Sequence, residues 1–309
     1  MLLRDSEYVG SIQPSEDELR NCRKLLEGFL DLHVHLAPDT VRRYCDGDQF
    51  ASDVSKIGYR GFIMKDHYIP TPARSYQLRK GYPKLAIHGG IALNRSVGGF
   101  NPEAVKVAIQ LGVKQVWMPT FDSANHFKHF GAFGLPNLIP VVDVKSRTNS
   151  NEAGLTVLDQ DGEIRQDVEE ILSMIADSNI ILGTGHLGLE EIYLLIDTAQ
   201  KVGVHKILVT HPEFMATTWP VEDQIKLAEK GAIMEHCANM NFDAKFWASN
   251  IKRVGAERCV LSSDSGQVKK GHPAIVMKEF VEALMAEGIT ESGLDKMMRS
   301  NPMKLLDPP

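Results

Sequence analysis

The sequence predicts an α/β fold, a single (β/α)8 barrel, and three observations carry that expectation. Short apolar runs recur along the chain and each ends at polar, chemically capable residues, as parallel strands buried on both faces do. Segments of helical periodicity separate the runs. The chain has 309 residues, and a closed barrel typically needs ~250.

The strands are expected in order at residues 29–35, 61–67, 85–94, 114–120, 179–183, 206–210, 232–236 and 259–264. Between them, residues 167–176 place Val168, Ile171, Leu172 and Ile175 at the spacing of one helical face. Residues 189–202 and 221–230 behave similarly, with Pro220 suited to the start of a helix, and 277–286 follow the eighth strand. Strand then helix, eight times, describes a barrel of the TIM type. The stretch 131–165 is too long for a plain connection. It holds an apolar run at 139–144, a candidate ninth strand, and a second at 155–158 before Asp161-Gly162, a turn-favouring pair. We read it as a β-hairpin insertion before strand five, over the barrel mouth. No repeat or linker divides the chain, so residues 1–309 form one domain, with 28–306 as the barrel core.

Composition narrows the class. Hydrophobic residues make up 43% and charged residues 24%, ordinary for a globular protein. A net charge of -6 argues against nucleic acid as a partner. No apolar stretch approaches the ~20 residues of a membrane span. The first ten residues carry Arg4, Asp5 and Glu7 and no apolar run, so no signal peptide is expected. Four scattered cysteines, Cys22, Cys45, Cys237 and Cys259, suggest reduced thiols and a cytoplasmic location. A homo-oligomer is the default expectation.

The chemistry gathers at the strand ends, where barrel active sites lie. His33 and His35 stand two apart on the first strand, so both imidazoles project to one side and can grip one ion. Asp31 shares their parity and is placed to orient an imidazole. His186, His211 and Asp264 follow the fifth, sixth and eighth apolar runs. Histidine and aspartate suit zinc first, with manganese or iron as alternatives. Lys65 ends the second strand and shares parity with His67. An inward lysine there is either paired with Asp66 or near metal, where its cationic form is unfavourable. Asn94 and Arg95 end the third strand, and Arg95 can clamp an anionic substrate or form a surface ion pair. His67 and His236 are further candidates for substrate contact, with a structural role as the alternative for each. Asp122, Asn125 and His126 follow strand four and are read as structural, as is Trp219.

In this order and spacing the chain resembles the amidohydrolase superfamily of metal-dependent barrel hydrolases, including its phosphotriesterase-like branches. The matching pieces are Asp31-Leu32-His33-Val34-His35, Gly185-His186, Thr210-His211-Pro212, Ser263-Asp264 and the late segment Asn301-Pro302-Met303-Lys304-Leu305-Leu306. The resemblance implies that His33 and His35 bind a buried metal. It implies that His186 and His211 bind a second, or that His186 completes a one-metal site. Asp264 would ligate metal and serve as general base. Two-metal members take a bridging carboxylated lysine or a glutamate from strand four, whereas strand four here ends Met118-Pro119-Thr120. Lys65 on strand two is the available substitute, carboxylated as a bridge; a Schiff-base lysine is the other role open to it.

The function expected is hydrolysis of an amide, cyclic amide, lactone or related ester of a small molecule. The alternatives are a one-metal decarboxylase, which needs no bridging lysine, then a phosphoesterase. A metal-binding barrel without catalysis is disfavoured, because Asp264 is present.

Overall fold

The structure is a computed structural model that describes residues 9–10, 13–131, 153–214, 216–238 and 243–306. Eight parallel strands follow one another around one sheet in chain order. They are β1 Leu30–His35, β2 Gly61–Lys65, β3 Ala86–Ala92, β4 Gln115–Trp117, β5 Ile181–Gly183, β6 Ile207–Thr210, β7 Ile233–Cys237 and β8 Cys259–Ser262. The Asp264 N–H donates to the His33 carbonyl at 2.7 Å and the His35 N–H to the Ser265 carbonyl at 2.9 Å. These bonds join the end of β8 to β1 and bring the sheet round on itself. The chain is therefore a (β/α)8 TIM barrel.

Helices cover the outside in alternation with the strands. They are α1 Glu16–Leu26, α2 Gly47–Ile57, α3 Pro72–Gly81, α4 Pro102–Gln110, α5 Ala124–Phe130, α6 Gln166–Asp177, α7 Leu189–Lys201, α8 Val221–Glu229, α9 Ala244–Val254 and α10 Pro273–Ala286. Their termini carry the expected caps: Ser15 and Glu18 form a capping box at α1, and Asp46 accepts from the Gln49 N–H at α2. In α6, Val168, Ile171, Leu172 and Ile175 are the buried residues, the face the periodicity picked out.

Two apolar layers result. The outer one lies between strands and helices. The inner one fills the barrel with Leu30, Leu32, Ile63, Ala92, Trp117, Ile181, Leu208 and Val260. Trp117 is fully buried there. Gly90 and Gly183 flank it: a Cβ on Gly90 would lie 2.1 Å from Trp117 Cζ3, and one on Gly183 2.6 Å from Cδ1. The short final helix Asn301–Leu306 adds Leu305 and Leu306 to the inner layer. The Asn301 amide fixes it by donating to the carbonyls of Ala256 and Cys259, both at 2.8 Å. The late Asn-Pro segment thus helps pack the barrel interior.

The candidate strand at 139–144 lies outside the described residues. Around 155–164 the chain makes single bridges, Leu158 antiparallel to Ile164 and Leu155 parallel to Ser123, with Asp159 turning back to Glu163. The Asp-Gly turn is there, and Val157 is buried beside α7, its N–H donating to Glu191. A full hairpin over the mouth is not established. Among the described residues, no helix is long and apolar enough to cross a membrane, and the four cysteines are free and buried.

Candidate metal centre

The site begins with an irregularity in β1. Leu30 and Leu32 belong to the inner layer, so strict alternation would send His33 and His35 outward with Asp31. The ladder to β2 prevents this: Asp31 pairs with Phe62 but Val34 with Met64, so one extra residue is accommodated in β1. The bulge resets the alternation. Val34 joins the outer layer, and both imidazoles converge on the end of β8. Asp31 is left on the other side, which corrects the expectation that it orients an imidazole. Its Oδ1 accepts the backbone N–H groups of His33 at 3.1 Å and Ser263 at 3.0 Å. It ties β1 to the end of β8 instead.

One oxygen is the focus of the cluster. Asp264 Oδ1 lies 2.9 Å from His33 Nε2 and 3.1 Å from His35 Nε2. The three side chains offer ligand atoms all within 4.8 Å of one another. His33 Nε2 is buried and makes no hydrogen bond, despite its closeness to the carboxylate. At that range a positive charge is favoured there, whether carried by the ring or by a bound cation. The remaining side of His33 is met by Glu235 of β7, whose Oε2 is 3.4 Å from Nδ1. Burial disfavours a charged His33, yet Asp264 and Glu235 outweigh it and raise its pKa. Burial likewise works against an ionised Asp264, but the two imidazoles hold its carboxyl well below the usual range. The point between β1 and β8 attracts positive charge, and the donor set fits a divalent metal.

The other two histidines lie alongside. The His211 ring is 6.2 Å from that of His33 and 4.9 Å from that of His186, centre to centre. Burial pushes His211 down to about 3 and His186 well below 6.5, so both stay neutral, as ligands must be. His211 and Asp264 adopt positive φ, 30° and 42°. This left-handed backbone is costly for a residue with a side chain, and here it falls on two candidate ligands at strand ends.

Lys65 sits on the inner side of β2. Its Nζ is buried without a hydrogen-bond partner, 5.2 Å from the centre of the Trp117 ring. The expected alternative, a pair with Asp66, does not form. Asp66 accepts from Arg74 and from the N–H groups of Tyr68 and Ile69. Burial lowers the pKa of Lys65, with Asp264 and Glu235 pulling the other way.

The softer candidates divide. His67 stacks between His35 at 4.7 Å and Phe121 at 3.8 Å, with Nδ1 2.9 Å from Thr120 Oγ1. Asn94 is occupied structurally: its amide donates to the His67 carbonyl and Thr120, and its oxygen accepts the Thr120 N–H. Arg95 is a partly exposed residue, 3.7 Å from Asp122. His236 lies on the opposite face of β7 from Glu235, buried against Glu213 at 3.0 Å and Cys259 at 3.3 Å. The structure thus brings His33, His35, His186, His211, Lys65, His67 and Asp264 together, and leaves Asn94, Arg95 and His236 around or behind them.

Two contributors, Glu235 and Arg43, escaped the sequence reading, and a third, His126, was read as structural. Glu235 was hidden by its neighbour His236, because strand parity alone does not say which face looks inward. His126 on α5 meets His186 Nδ1 to Nδ1 at 2.9 Å. Arg43 reaches His35 Nδ1 at 3.2 Å from the loop after β1.

Fold and donors together define a barrel with a buried, metal-competent cluster at the carboxyl ends of its strands. A family model described as a family of unknown function (DUF6282) matches residues 28–235, and the chain belongs to that family. No curated protein matches at the level of sequence. Among solved structures, the chain is similar to an amidohydrolase from Pseudomonas aeruginosa, with TM-score 0.60 and 12% identity over 95% of this chain and 98% of that one. It is similar to 2,6-dihydroxybenzoate decarboxylase from Rhizobium, TM-score 0.54 and 11% identity over 91% and 99%. It is also similar to N-acetyl-D-glucosamine-6-phosphate deacetylase from Mycobacterium smegmatis, TM-score 0.54 and 12% identity over 91% and 76%. At such identities the likeness is one of fold.

Proposed function

We propose that the protein is a metal-dependent hydrolase of the amidohydrolase superfamily, acting on an amide, cyclic amide, lactone or related ester of a small molecule. The observation that carries this reading is the convergence of His33 Nε2 and His35 Nε2 on one buried oxygen of Asp264, at 2.9 and 3.1 Å. His33, His35 and Asp264 would hold the metal, with His186 and His211 as ligands on the far side of the cluster. When bound, a divalent ion there, zinc first on donor type, supplies Lewis acidity toward a carbonyl oxygen and toward water.

The chain's own groups do the rest. Asp264 has a second carboxylate oxygen to accept the proton of the attacking water and return it to the leaving group. Glu235 holds His33 through Nδ1, which keeps Nε2 directed at the cluster. Trp117 and the inner apolar layer form a dry floor, so charge developing above it is not screened by water. Lys65, buried and unpartnered, is set up to be carboxylated and to become an anionic ligand.

A decarboxylase is the second reading, favoured by one observation: β4 ends in Trp117 and sends no lysine or carboxylate into the cluster. His33, His35 and Asp264 suffice for one metal, and one of the similar structures is a decarboxylase. The deciding experiment strips the protein with a chelator and restores Zn2+ or Mn2+. A panel of amides, lactones and aromatic carboxylates is then assayed with wild type and Asp264→Asn. Turnover that returns with metal and is absent from Asp264→Asn supports the reading. Turnover indifferent to metal, or undiminished in Asp264→Asn, overturns it.

A further inference from the structure

We propose that β7 carries a second, sulfur-bearing metal seat beside the metal centre, in which Cys237 and Glu235, together with His33, take a thiophilic ion such as Cd2+. This rests on the metal reading above only through His33, which both donor sets share. Side chains alternate along β7. Met234 belongs to the outer apolar layer, and His236 lies outward against Glu213 and Cys259. Glu235 and Cys237 therefore share the inward face, two residues apart, as His33 and His35 do on β1. His33, Glu235 and Cys237 each offer a ligand atom, and the three atoms lie within 4.8 Å of one another. None of the three residues is more than 1% exposed.

Two observations separate this trio from ordinary core. Glu235 meets His33 Nδ1 with its Oε2 at 3.4 Å, but its Oε1 is buried with no hydrogen-bond partner. A buried carboxylate oxygen left bare is costly. The Lys65 amine does not cap it, since Nζ likewise makes no hydrogen bond. The second observation concerns the thiols. Cys22, Cys45 and Cys259 sit in the outer apolar layer, where a thiol packs as a small apolar group. Cys237 joins neither apolar layer and lies with a carboxylate and an imidazole instead. Tetrahedral bonds of ~2.0 to 2.3 Å put donors roughly 3.3 to 3.8 Å apart, so this set closes on an ion with movements of about 1.5 Å or less. On binding, the sulfur bonds the ion and the thiol proton leaves for solvent. Thiolate and carboxylate then balance the two charges of the ion. Sulfur selects soft ions and oxygen hard ones, so the seat with Cys237 suits Cd2+ and the seat with Asp264 suits Mn2+. Because His33 serves both, a thiophilic ion on β7 competes with the ion of the metal centre.

The test reads ligation and affinity, not turnover. The purified chain is stripped with a chelator and titrated separately with Cd2+ and with Mn2+. Wild type is expected to bind Cd2+ with a thiolate-to-metal charge-transfer band in the ultraviolet, and Cys237→Ser to lose the band. The Cd2+ affinity of this variant, measured by chelator competition, should weaken by at least the ~10–100-fold that loss of an outer partner costs a metal site. Its Mn2+ affinity, read by electron paramagnetic resonance of the free ion, should match wild type. A band that survives Cys237→Ser, or Cd2+ bound without one, overturns the sulfur seat and leaves the metal centre standing where Mn2+ binds. Loss of Mn2+ along with Cd2+ in a variant with a native circular dichroism spectrum also overturns it, because the two seats would then be one. Should Cys237→Ser fail to fold, 113Cd NMR of wild type decides: a shift in the range of sulfur-bound cadmium is expected, and one typical of nitrogen and oxygen donors alone overturns the seat. Cd2+ bound through Cys237 with no Mn2+ bound upholds the seat and overturns the centre. Binding of neither ion by wild type overturns the metal reading, and the sulfur seat with it.

Discussion

Replacing Lys65 with methionine should make the metal-free protein more stable and less able to work. Lys65 Nζ is buried with no hydrogen-bond partner, and leaving a buried polar group unsatisfied costs ~1–3 kcal/mol. Methionine fills a similar volume without the polar atom. The gain expected for Lys65→Met is therefore of that size, reduced where the Trp117 ring face and the carboxylates of Asp264 and Glu235 already stabilise a charged amine. With an unfolding entropy of ~2.1 cal/mol/K per residue, 309 residues give ~650 cal/mol/K, so the melting temperature should rise by ~1.5 to 5 °C. The sign of the pH dependence follows from the lowered pKa. The folded protein binds fewer protons than the unfolded chain between the lowered value and the ordinary 10.5. The penalty is full below the folded value and fades as pH rises toward 10.5. The two proteins' melting curves, recorded by calorimetry after chelation and in bicarbonate-free buffer, should thus draw closer at high pH, leaving the cost of the buried neutral amine. A melting temperature that falls or stays put at neutral pH would refute the claim that Lys65 is an unsatisfied group kept for function.

Three further outcomes are expected. Glu235→Ala removes the acceptor at His33 Nδ1 and should weaken Zn2+ binding by about 10–100-fold in chelator competition, the usual effect of losing such a partner. Gly90→Ala would put a Cβ 2.1 Å from Trp117 Cζ3, and overpacking of this kind should lower the unfolding free energy measured in urea by ~1–3 kcal/mol or more. His236 is opposed by its burial but held up to about 10 by Glu213. The stability it adds is full below its ordinary 6.5 and is lost as pH rises through about 10, with a ceiling of ~5 kcal/mol. Urea unfolding between pH 6 and 10.5 should show this slope in wild type, and His236→Gln should flatten it.

The strands and their order were legible because a parallel barrel buries both faces of every strand, leaving apolar runs that end abruptly at the mouth. The histidines at those ends were legible for the same reason. What the sequence hid has a common cause: the direction a side chain takes once local geometry departs from the ideal. The bulge between Asp31 and Val34 turns His33 and His35 inward and leaves Asp31 behind, and no residue type announces it. On β7, alternating Glu235-His236-Cys237 is compatible with either face, and the structure puts Glu235 inward. Arg43 comes from a loop, where periodicity carries no information about direction. Lys65 was legible as a candidate, but its lack of a partner was not, since Asp66 beside it offered a ready pair that Arg74 takes instead.

In the proposed centre, charge would tie the number of metals to the state of Lys65. Among the described residues, Asp264 and Glu235 are the carboxylates that reach the His33 ring, while Asp31 accepts its backbone N–H. Asp39 is committed to Arg43 and Asp66 to Arg74. Two carboxylates balance one divalent ion, provided Lys65 gives up its proton. A second ion would leave two uncompensated positive charges in a desolvated site, and burying even one is expensive. Carboxylation of Lys65 turns an amine into an anion and removes much of that cost. The expected combinations are therefore one metal with free Lys65, which favours the decarboxylase reading, or two metals with carboxylated Lys65, which favours hydrolysis. Inductively coupled plasma mass spectrometry gives the metal count, and intact mass under non-denaturing conditions shows whether the mass of one CO2 is added. Two metals with an unmodified lysine would show that charge balance does not govern this centre, and Lys65 would then lose its place among the ligands.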